Sequence, residues 1–440
     1  MTNVNPQSFK AAPTPPGTVW RPDDTTPAVP ICPDTVYRED ILETIEHTIK
    51  SLDGELRKLS LDIHSHPELG YEEHRTHDHY HLETAWLAAF SHGKGGRTIG
   101  INSEMDALKG VGHACGHNLI AISGVAVACA IKAVFEKFNI SGKIQLLGTP
   151  AEEGGMGKVK LLDAGCYKEM AACLMCHPAP GPKGSVSLSS CLAMERLEVE
   201  YFGHTAHAAL SPWEGRNALD AAVLGYNNIS ALRQQLRPTH RVHGIFEGKD
   251  WAPNIIPDYA KYICYVRAPT VAEQKETLKR VLPCFDAAAL ATGCTVKVTH
   301  LGDTSDLRQN KALGDEVAHI VRSKYGDIDY EWGIKGASTD FGNVTYGPRT
   351  FLDFYLRILI YLQPSPSLHP GFAIPSVVDG GNHTPGFAEA AATVEAHYAC
   401  LDVSKALAAT GVRVIIDDDF YAQVKKTFEE DKAVRDLVNY

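Results

Sequence analysis

Three short runs concentrate side chains that can hold a metal or move a proton. The first is His113-Ala-Cys-Gly-His117, with Glu104-Met-Asp106 just upstream. A thiolate and an imidazole two residues apart, Cys115 and His117, can face one metal ion. Gly116 between them lets the backbone turn tightly, and Asn118 then opens an apolar run as a good helix N-cap. The second run is Pro150-Ala-Glu-Glu-Gly-Gly155. Adjacent carboxylates can divide a task, one binding the metal and the other taking a proton from a water the metal acidifies. The third is Cys176-His177-Pro178. Each run has a plainer reading: a loop with a buried thiol, an acidic helix start, a structural histidine. Their joint occurrence favours one metal-dependent hydrolytic centre of Cys115, His117, Glu152, Glu153 and His177. Three further runs, Gly203 to His207, Asn254-Ile-Ile-Pro257 and Gly381-Asn-His383-Thr-Pro385, are ordinary loop chemistry when taken singly.

The elements around these runs could bring them together. Apolar residues recur at helical spacing over 37–63 (Ile41, Ile45, Ile49, Leu52, Leu56, Leu59), which predicts one long helix. Strands are predicted at 97–101, 144–148 and 172–176, with helices at 118–138 and 155–164 between them. This alternation implies an α/β layer with helices on a sheet. Each candidate run follows a predicted strand, where loops of such sheets gather function. The pattern changes near Ala193. Strands at 197–202, 259–267 and 295–300 enclose helices at 218–236 and 271–291, a compact α+β insertion. Helices at 312–325 and 384–407 return to the first pattern. The expected organisation is an N-terminal arm at 1–36, a main domain at 37–192 plus 304–440, and an inserted domain at 193–303.

Composition limits the partners. The 440 residues are 44% hydrophobic and 22% charged, as a globular two-domain protein would be. A net charge of −11 argues against a nucleic-acid partner, which would need a basic face. Eleven scattered cysteines do not make a disulfide framework and suit reduced thiols. The N-terminus lacks a secretory pattern, and the apolar stretch at 351–362 carries Asp353 and Arg357 and is too short to span a bilayer. A cytoplasmic protein with no membrane partner is the expectation.

Taken in order, His64-Ser-His-Pro-Glu-Leu69, Glu104-Met-Asp106-Ala-Leu, Gly112-His-Ala-Cys-Gly-His117, Ala151-Glu-Glu-Gly, Cys176-His177, Gly203 to His207, Asn254-Ile-Ile-Pro and His383-Thr-Pro resemble one metallopeptidase family. It includes aminoacylase, the glutamate-releasing carboxypeptidase, succinyl-diaminopimelate desuccinylase and the auxin-conjugate amidohydrolases. The uninterrupted Gly-His-Ala-Cys-Gly-His-Asn and Gly-Asn-His-Thr runs resemble the branch of Xaa-Arg dipeptidases and related microbial amidohydrolases. The resemblance covers about 42–403. It implies a three-layer α/β catalytic domain of the zinc-exopeptidase type with an inserted, ferredoxin-like α+β lid that dimerises. It implies two divalent ions, zinc or manganese, and a small dipeptide or N-acyl amino acid as substrate. Carried over position by position, Cys115 would bridge the ions, with His117, Glu153, His177 and His383 completing their shells. Glu152 would be the general base, and Asp106 would orient the ligands. His207 would reach the other subunit's site to stabilise the oxyanion. Asn254, Asp340 and Asn343 would contact substrate. The alternative is a relative that keeps the fold and dimer without catalysis.

Two stretches depart from that family. Residues 73–83 (Glu-His-Arg-Thr-His-Asp-His-Tyr-His-Leu-Glu) are shorter than the corresponding segment in relatives, so the cluster His74, His77, His79 and His81 reads as a junction rather than a metal site. Residues 347–363 insert an apolar run where relatives connect almost directly.

Overall fold

The computed structural model describes residues 36–75, 80–330, 332–347 and 365–438. The N-terminal arm, His77 and His79, and the inserted run from position 348 onward lie outside the described residues.

Helix α1 (Glu39–Ser65) buries Ile41, Ile45, Ile49, Leu56 and Ile63 along one face, the stripe its spacing predicts. The chain then forms β1 (Trp86–His92), β2 (Thr98–Glu104), α2 (His117–Phe138), β3 (Gly142–Thr149), α3 (Gly157–Asp163), β4 (Met170–Leu174), β5 (His177–Pro180) and β6 (Ser185–Ser187). A second group follows: β7 (Ala193–Phe202), α4 (Ala218–Leu232), β8 (Arg241–Gly248), β9 (Tyr259–Ala268), α5 (Val271–Thr292) and β10 (Thr295–Thr304). The last elements are α6 (Lys311–Lys324), β11 (Asp327–Asp329), α7 (Phe341–Tyr346), β12 (Ser367–Leu368), β13 (Gly371–Ile374), α8 (Pro385–Ala391), α9 (Val394–Ile416) and α10 (Asp418–Val438).

The central sheet has the order β1-β3-β2-β4-β12. β2, β3, β4 and β12 are parallel, and β1 is antiparallel on the edge. Alternate residues feed two cores. Ile144, Leu146 and Leu174 join α1, α2 and α9 on one side, while Leu147 and Cys173 join Leu161, Leu162 and Phe341 of α3 and α7 on the other. Helices on both faces make three layers, as parallel strands require. α2 is long and apolar enough to cross a membrane, but most of it is buried in this core. A smaller sheet, β11-β6-β13-β5, extends the layer.

β7 to β10 form a separate antiparallel sheet, ordered β10-β7-β9-β8, with its own core of Leu197, Val199, Tyr201, Tyr262, Val266, Val281 and Phe285 under α4 and α5. Several elements were not anticipated, among them β1, β8, α7 and α10, and two others differ in extent. β8 is a fourth strand that the sequence hides: on the sheet edge, nearly all its residues are exposed and the alternation is lost. α4 ends at Leu232 and passes into a 3₁₀ turn, Arg233–Gln235. The helix expected over 384–407 is two helices, because the Thr393 hydroxyl accepts the Ala396 N–H and starts α9 afresh.

Candidate metal centre

β2, β3 and β4 are parallel, so the loops after them open on one edge of the sheet. Glu104 ends β2 and Asp106 follows it. Glu152 and Glu153 follow β3, His177 follows β4, and His117 opens α2 beside Gly116 at φ 78°. His383 arrives from the far end of the chain. Its N–H donates to Ala114 O at 2.8 Å, which ties the loop before α8 to the Cys115 loop. His383 has φ 70° and Ala151 has φ 55°, left-handed values that cost strain in residues with a β-carbon.

Asp106 organises the centre. One oxygen lies 3.1 Å from His117 Nδ1, and the other accepts the Glu153 N–H at 3.0 Å. That contact leaves His117 Nε2 pointing inward, 3.4 Å from Glu104 Oε2 and 3.9 Å from Glu153 Oε1. Burial disfavours a charged His117, but Asp106 and Glu104 outweigh it and hold its pKa well above the usual value. His177 Nδ1 donates to Pro178 O at 2.7 Å, since a carbonyl can only accept, so its Nε2 is free to bind a ligand, 3.4 Å from Cys115 Sγ. Burial pushes the His177 pKa down to about 4 and the Cys115 thiol up. His383 Nε2 is 3.3 Å from Glu153 Oε1.

The donor atoms of Cys115, His117 and His177 lie within 4.8 Å of one another, and so do those of Cys115, Glu153 and His383. Cys115 thus belongs to two groups of ligand type. His117, Glu152 and Glu153 form a third. His117 Nε2, Glu104 Oε2 and Glu153 Oε1 are buried and make no hydrogen bond. Buried polar atoms rarely stay unpartnered, and this donor set of thiol, imidazole and carboxylate fits divalent transition-metal ions.

The centre opens into a cavity of about 710 Å³. Cys115, Glu152, Glu153, His177, Asp340, Asn382 and His383 line it on one side, and Arg196, Arg241, His243 and Arg267 of the second sheet line it on the other. Arg267 donates to Ser338 Oγ at 3.1 Å and to His243 Nε2 at 3.2 Å. The Arg196 Nε is buried without a hydrogen bond.

The remaining candidates sit elsewhere. His207 is exposed on the loop after β7, outside the cavity lining. Its Nδ1 accepts the N–H groups of Ala209 and Leu210 at 3.2 and 3.1 Å, so the proton sits on Nε2. Asn254 is its neighbour: the Asn254 carbonyl accepts the Ala208 N–H at 3.0 Å. Asn343 is buried at α7 with its amide committed to Ser305 N and Asp303 O, and it lines a smaller adjoining cavity. Sequence reasoning missed Lys158, Glu73 and the arginine wall. Lys158 and Glu73 stand beside the motifs with nothing in their spacing to single them out.

The family model for peptidase family M20/M25/M40 matches residues 100–372. The Xaa-Arg dipeptidase of Mus musculus is 37% identical over 404 residues, covering 85% of this chain and 89% of that protein. The Homo sapiens Xaa-Arg dipeptidase is 36% identical, covering 85% and 88%. Among solved structures, a dinuclear metal-binding M20 peptidase from Bacillus subtilis superposes with a TM-score of 0.60 at 19% identity, covering 83% of this chain and 99% of that one. An aminobenzoyl-glutamate utilization protein from Klebsiella pneumoniae gives 0.60 at 17%, covering 83% and 98%. With a matching family model, close relatives over most of their length and a thiol, imidazole and carboxylate donor set at the ends of parallel strands, the chain belongs to peptidase family M20/M25/M40 and is a metal-dependent hydrolase of peptide or amide bonds.

Proposed function

We propose that the chain is a two-metal dipeptidase or N-acyl amino acid amidohydrolase, with dipeptides ending in a basic residue as its first candidate substrates. The observation that carries this reading is the sharing of Cys115 between two ligand groups, with unpartnered buried nitrogen and oxygen atoms around it. Cys115, His117, Glu153, His177 and His383 would hold two divalent ions, zinc or manganese. Bound there, the ions would polarise the scissile carbonyl and acidify a water.

The chain's own residues supply the rest. Burial, then Glu104 and Glu153 nearby, push the Glu152 pKa well up, which suits a carboxylate that must take a proton and release it. Glu152 receives the water's proton on a carboxylate oxygen and passes it to the departing amine. Asp106 keeps His117 and Glu153 in register. The arginines opposite suit a substrate with a free carboxylate. The Xaa-Arg dipeptidase relatives supply the basic side chain of the candidate substrate.

His207 is exposed and lies outside this chain's cavity, and with Nδ1 accepting two backbone N–H groups its Nε2 is the donor nitrogen, which suits a residue that completes the site of a second subunit. A homodimer joined through the second sheet follows from that reading. Placing the enzyme in the cytoplasm rests on the ten described cysteines, all of which are free thiols.

The test is hydrolysis of Xaa-Arg, Xaa-Lys and β-alanyl dipeptides and N-acyl amino acids by metal-depleted protein reloaded with Zn²⁺ or Mn²⁺. Glu152→Gln should keep its metal and lose turnover by roughly 100-fold or more. Turnover that survived this change would remove Glu152 from the mechanism.

A further inference from the structure

Among the described residues Lys158 is the one fully buried lysine, and the hydrolytic reading above gives it no task. It stands second in α3, just past the Glu152-Glu153 loop. Its ammonium lies 2.6 Å from Glu104 Oε1 and hydrogen-bonds Asp340 Oδ1. Its backbone N–H donates to Asp340 Oδ2 at 2.9 Å. Glu104, Glu152 and Asp340 place carboxylate oxygens within 4.8 Å of one another, the same spacing that marks the three ligand groups around Cys115 and His117. In this group of three acids the place of a cation is already taken by a side chain.

A lysine with no counter-charge would lose its proton on burial. Here the acids win, and Asp340, Glu104 and Glu152 hold the ammonium charged. Three segments meet on it: the end of β2 through Glu104, the start of α3 through Lys158 itself, and the start of α7 through Asp340. Glu104 turns its second oxygen to His117 Nε2 at 3.4 Å. The ammonium therefore sets the position of an acid that faces a metal ligand.

We propose that Lys158 is a positioning residue that acts as a built-in cation, filling the Glu104–Glu152–Asp340 group so that divalent ions load only at the donors around Cys115. The proposal rests on the two-metal reading. Without the ammonium, three clustered carboxylates, those of Glu104 and Asp340 buried, lose their nearest counter-charge, and a divalent ion is the natural replacement.

The experiment measures bound metal per chain for the wild type, Lys158→Ala and Lys158→Arg after loading with Mn²⁺ or Zn²⁺, together with thermal unfolding across Mn²⁺ concentrations. Wild-type protein without bound metal would sink the two-metal reading itself, so that failure is read first. Given a metal-loaded wild type, Lys158→Ala should bind one more ion per chain, and added Mn²⁺ should raise its unfolding temperature more than the wild type's. Its kcat should fall by roughly 100-fold with KM little changed, because the loss lies in alignment. Propylammonium, but not propanol, should displace the extra ion and restore part of kcat. Lys158→Arg should keep the wild-type metal content. Unaltered stoichiometry in Lys158→Ala with no response to propylammonium overturns the proposal. Should Lys158→Ala prove insoluble, Lys158→Met with Asp340→Asn removes one charge of each sign and should fold with the wild-type metal content. Failure of that pair to fold, or an extra ion in it, also overturns the proposal.

Discussion

Glu73 is the place to test how the metal centre is held. It lies in the stretch that departs from the family, yet it is fully buried. One carboxylate oxygen accepts the Ala151 N–H at 2.8 Å and the other accepts the Thr84 hydroxyl at 2.7 Å. Ala151 is the residue before Glu152, and its φ of 55° costs about 1–2 kcal/mol relative to an ordinary conformation. The bond from Glu73 pins that strained residue. Its neighbours assist. A β-carbon on Gly70 would lie only 2.8 Å from the Ala151 β-carbon, so the chain packs there without one. Tyr71 donates its hydroxyl to Gly155 O at 2.6 Å.

Glu73→Ala removes the acceptor of the Ala151 N–H and the Thr84 hydroxyl and leaves a buried N–H and a buried hydroxyl without it. At about 1–3 kcal/mol for each unsatisfied group, less the cost of burying the charge, the loss should be about 2–4 kcal/mol. Glu73→Gln keeps an acceptor for Ala151, and the Thr84 hydroxyl can turn to accept from the amide, so it should cost about 1 kcal/mol. The effect on catalysis should be larger than stability alone suggests. Release of Ala151 moves Glu152, and a displacement of about 1 Å can cost roughly 100-fold in rate. Urea unfolding and steady-state kinetics on the same preparations give both numbers. If Glu73→Ala unfolds within about 1 kcal/mol of the wild type and keeps its kcat, the contact does not hold the loop. A Glu73→Gln variant as damaged as Glu73→Ala would place the effect in the charge and not in the bonds.

Two further outcomes follow from other parts of the molecule. On the proposed homodimer, His207→Ala and Glu152→Gln should each be inactive alone, yet mixing the two under conditions of subunit exchange should restore partial activity, because a mixed dimer would hold one site with both groups intact; no recovery on mixing would confine the site to one subunit. His397 is buried with its Nε2 2.7 Å from Asp53, and burial pushes its pKa down despite that neighbour. A histidine with a lowered folded pKa contributes stability above its unfolded value near 6.5 and loses it as pH falls. The wild type should therefore lose more stability between pH 7 and 5 than His397→Gln, as read by urea unfolding at both values.

Much of the centre was legible because its residues announce their chemistry. Cys115, His117, Glu152, Glu153 and His177 are of ligand type and each follows a predicted strand, and those strands prove to be parallel neighbours. His383 needed the family resemblance, since over two hundred residues separate it from His177 and only the fold brings it to Glu153. α1, α2 and, in the insertion, β7, α4, β9, α5 and β10 were legible from periodicity, while β8 was not, because an edge strand exposed on both faces carries no alternation. The short strands β5, β6, β11, β12 and β13 have two to four residues each, too few for a pattern to emerge.

The support residues were hidden for a different reason. A metal ligand is restricted to a few side-chain types, so type and spacing together betray it. A residue that holds a ligand in place needs only a polar group of the right sign at the right distance. Glu73 grips a backbone N–H, and any carboxylate there reads as surface charge. Lys158 follows Gly157 in a helix of seven residues, where a lysine is ordinarily solvated. What distinguishes both is burial, and burial is decided by which other segments arrive: α7 brings Asp340 to Lys158, and the loop after β3 brings Ala151 to Glu73. A sequence shows which residues can do the chemistry, whereas those that hold them ready are marked only by the company the fold gives them. Substitutions at Glu73 and Lys158 should thus impair turnover through Glu152 and Glu104 without removing a single donor from the groups around Cys115.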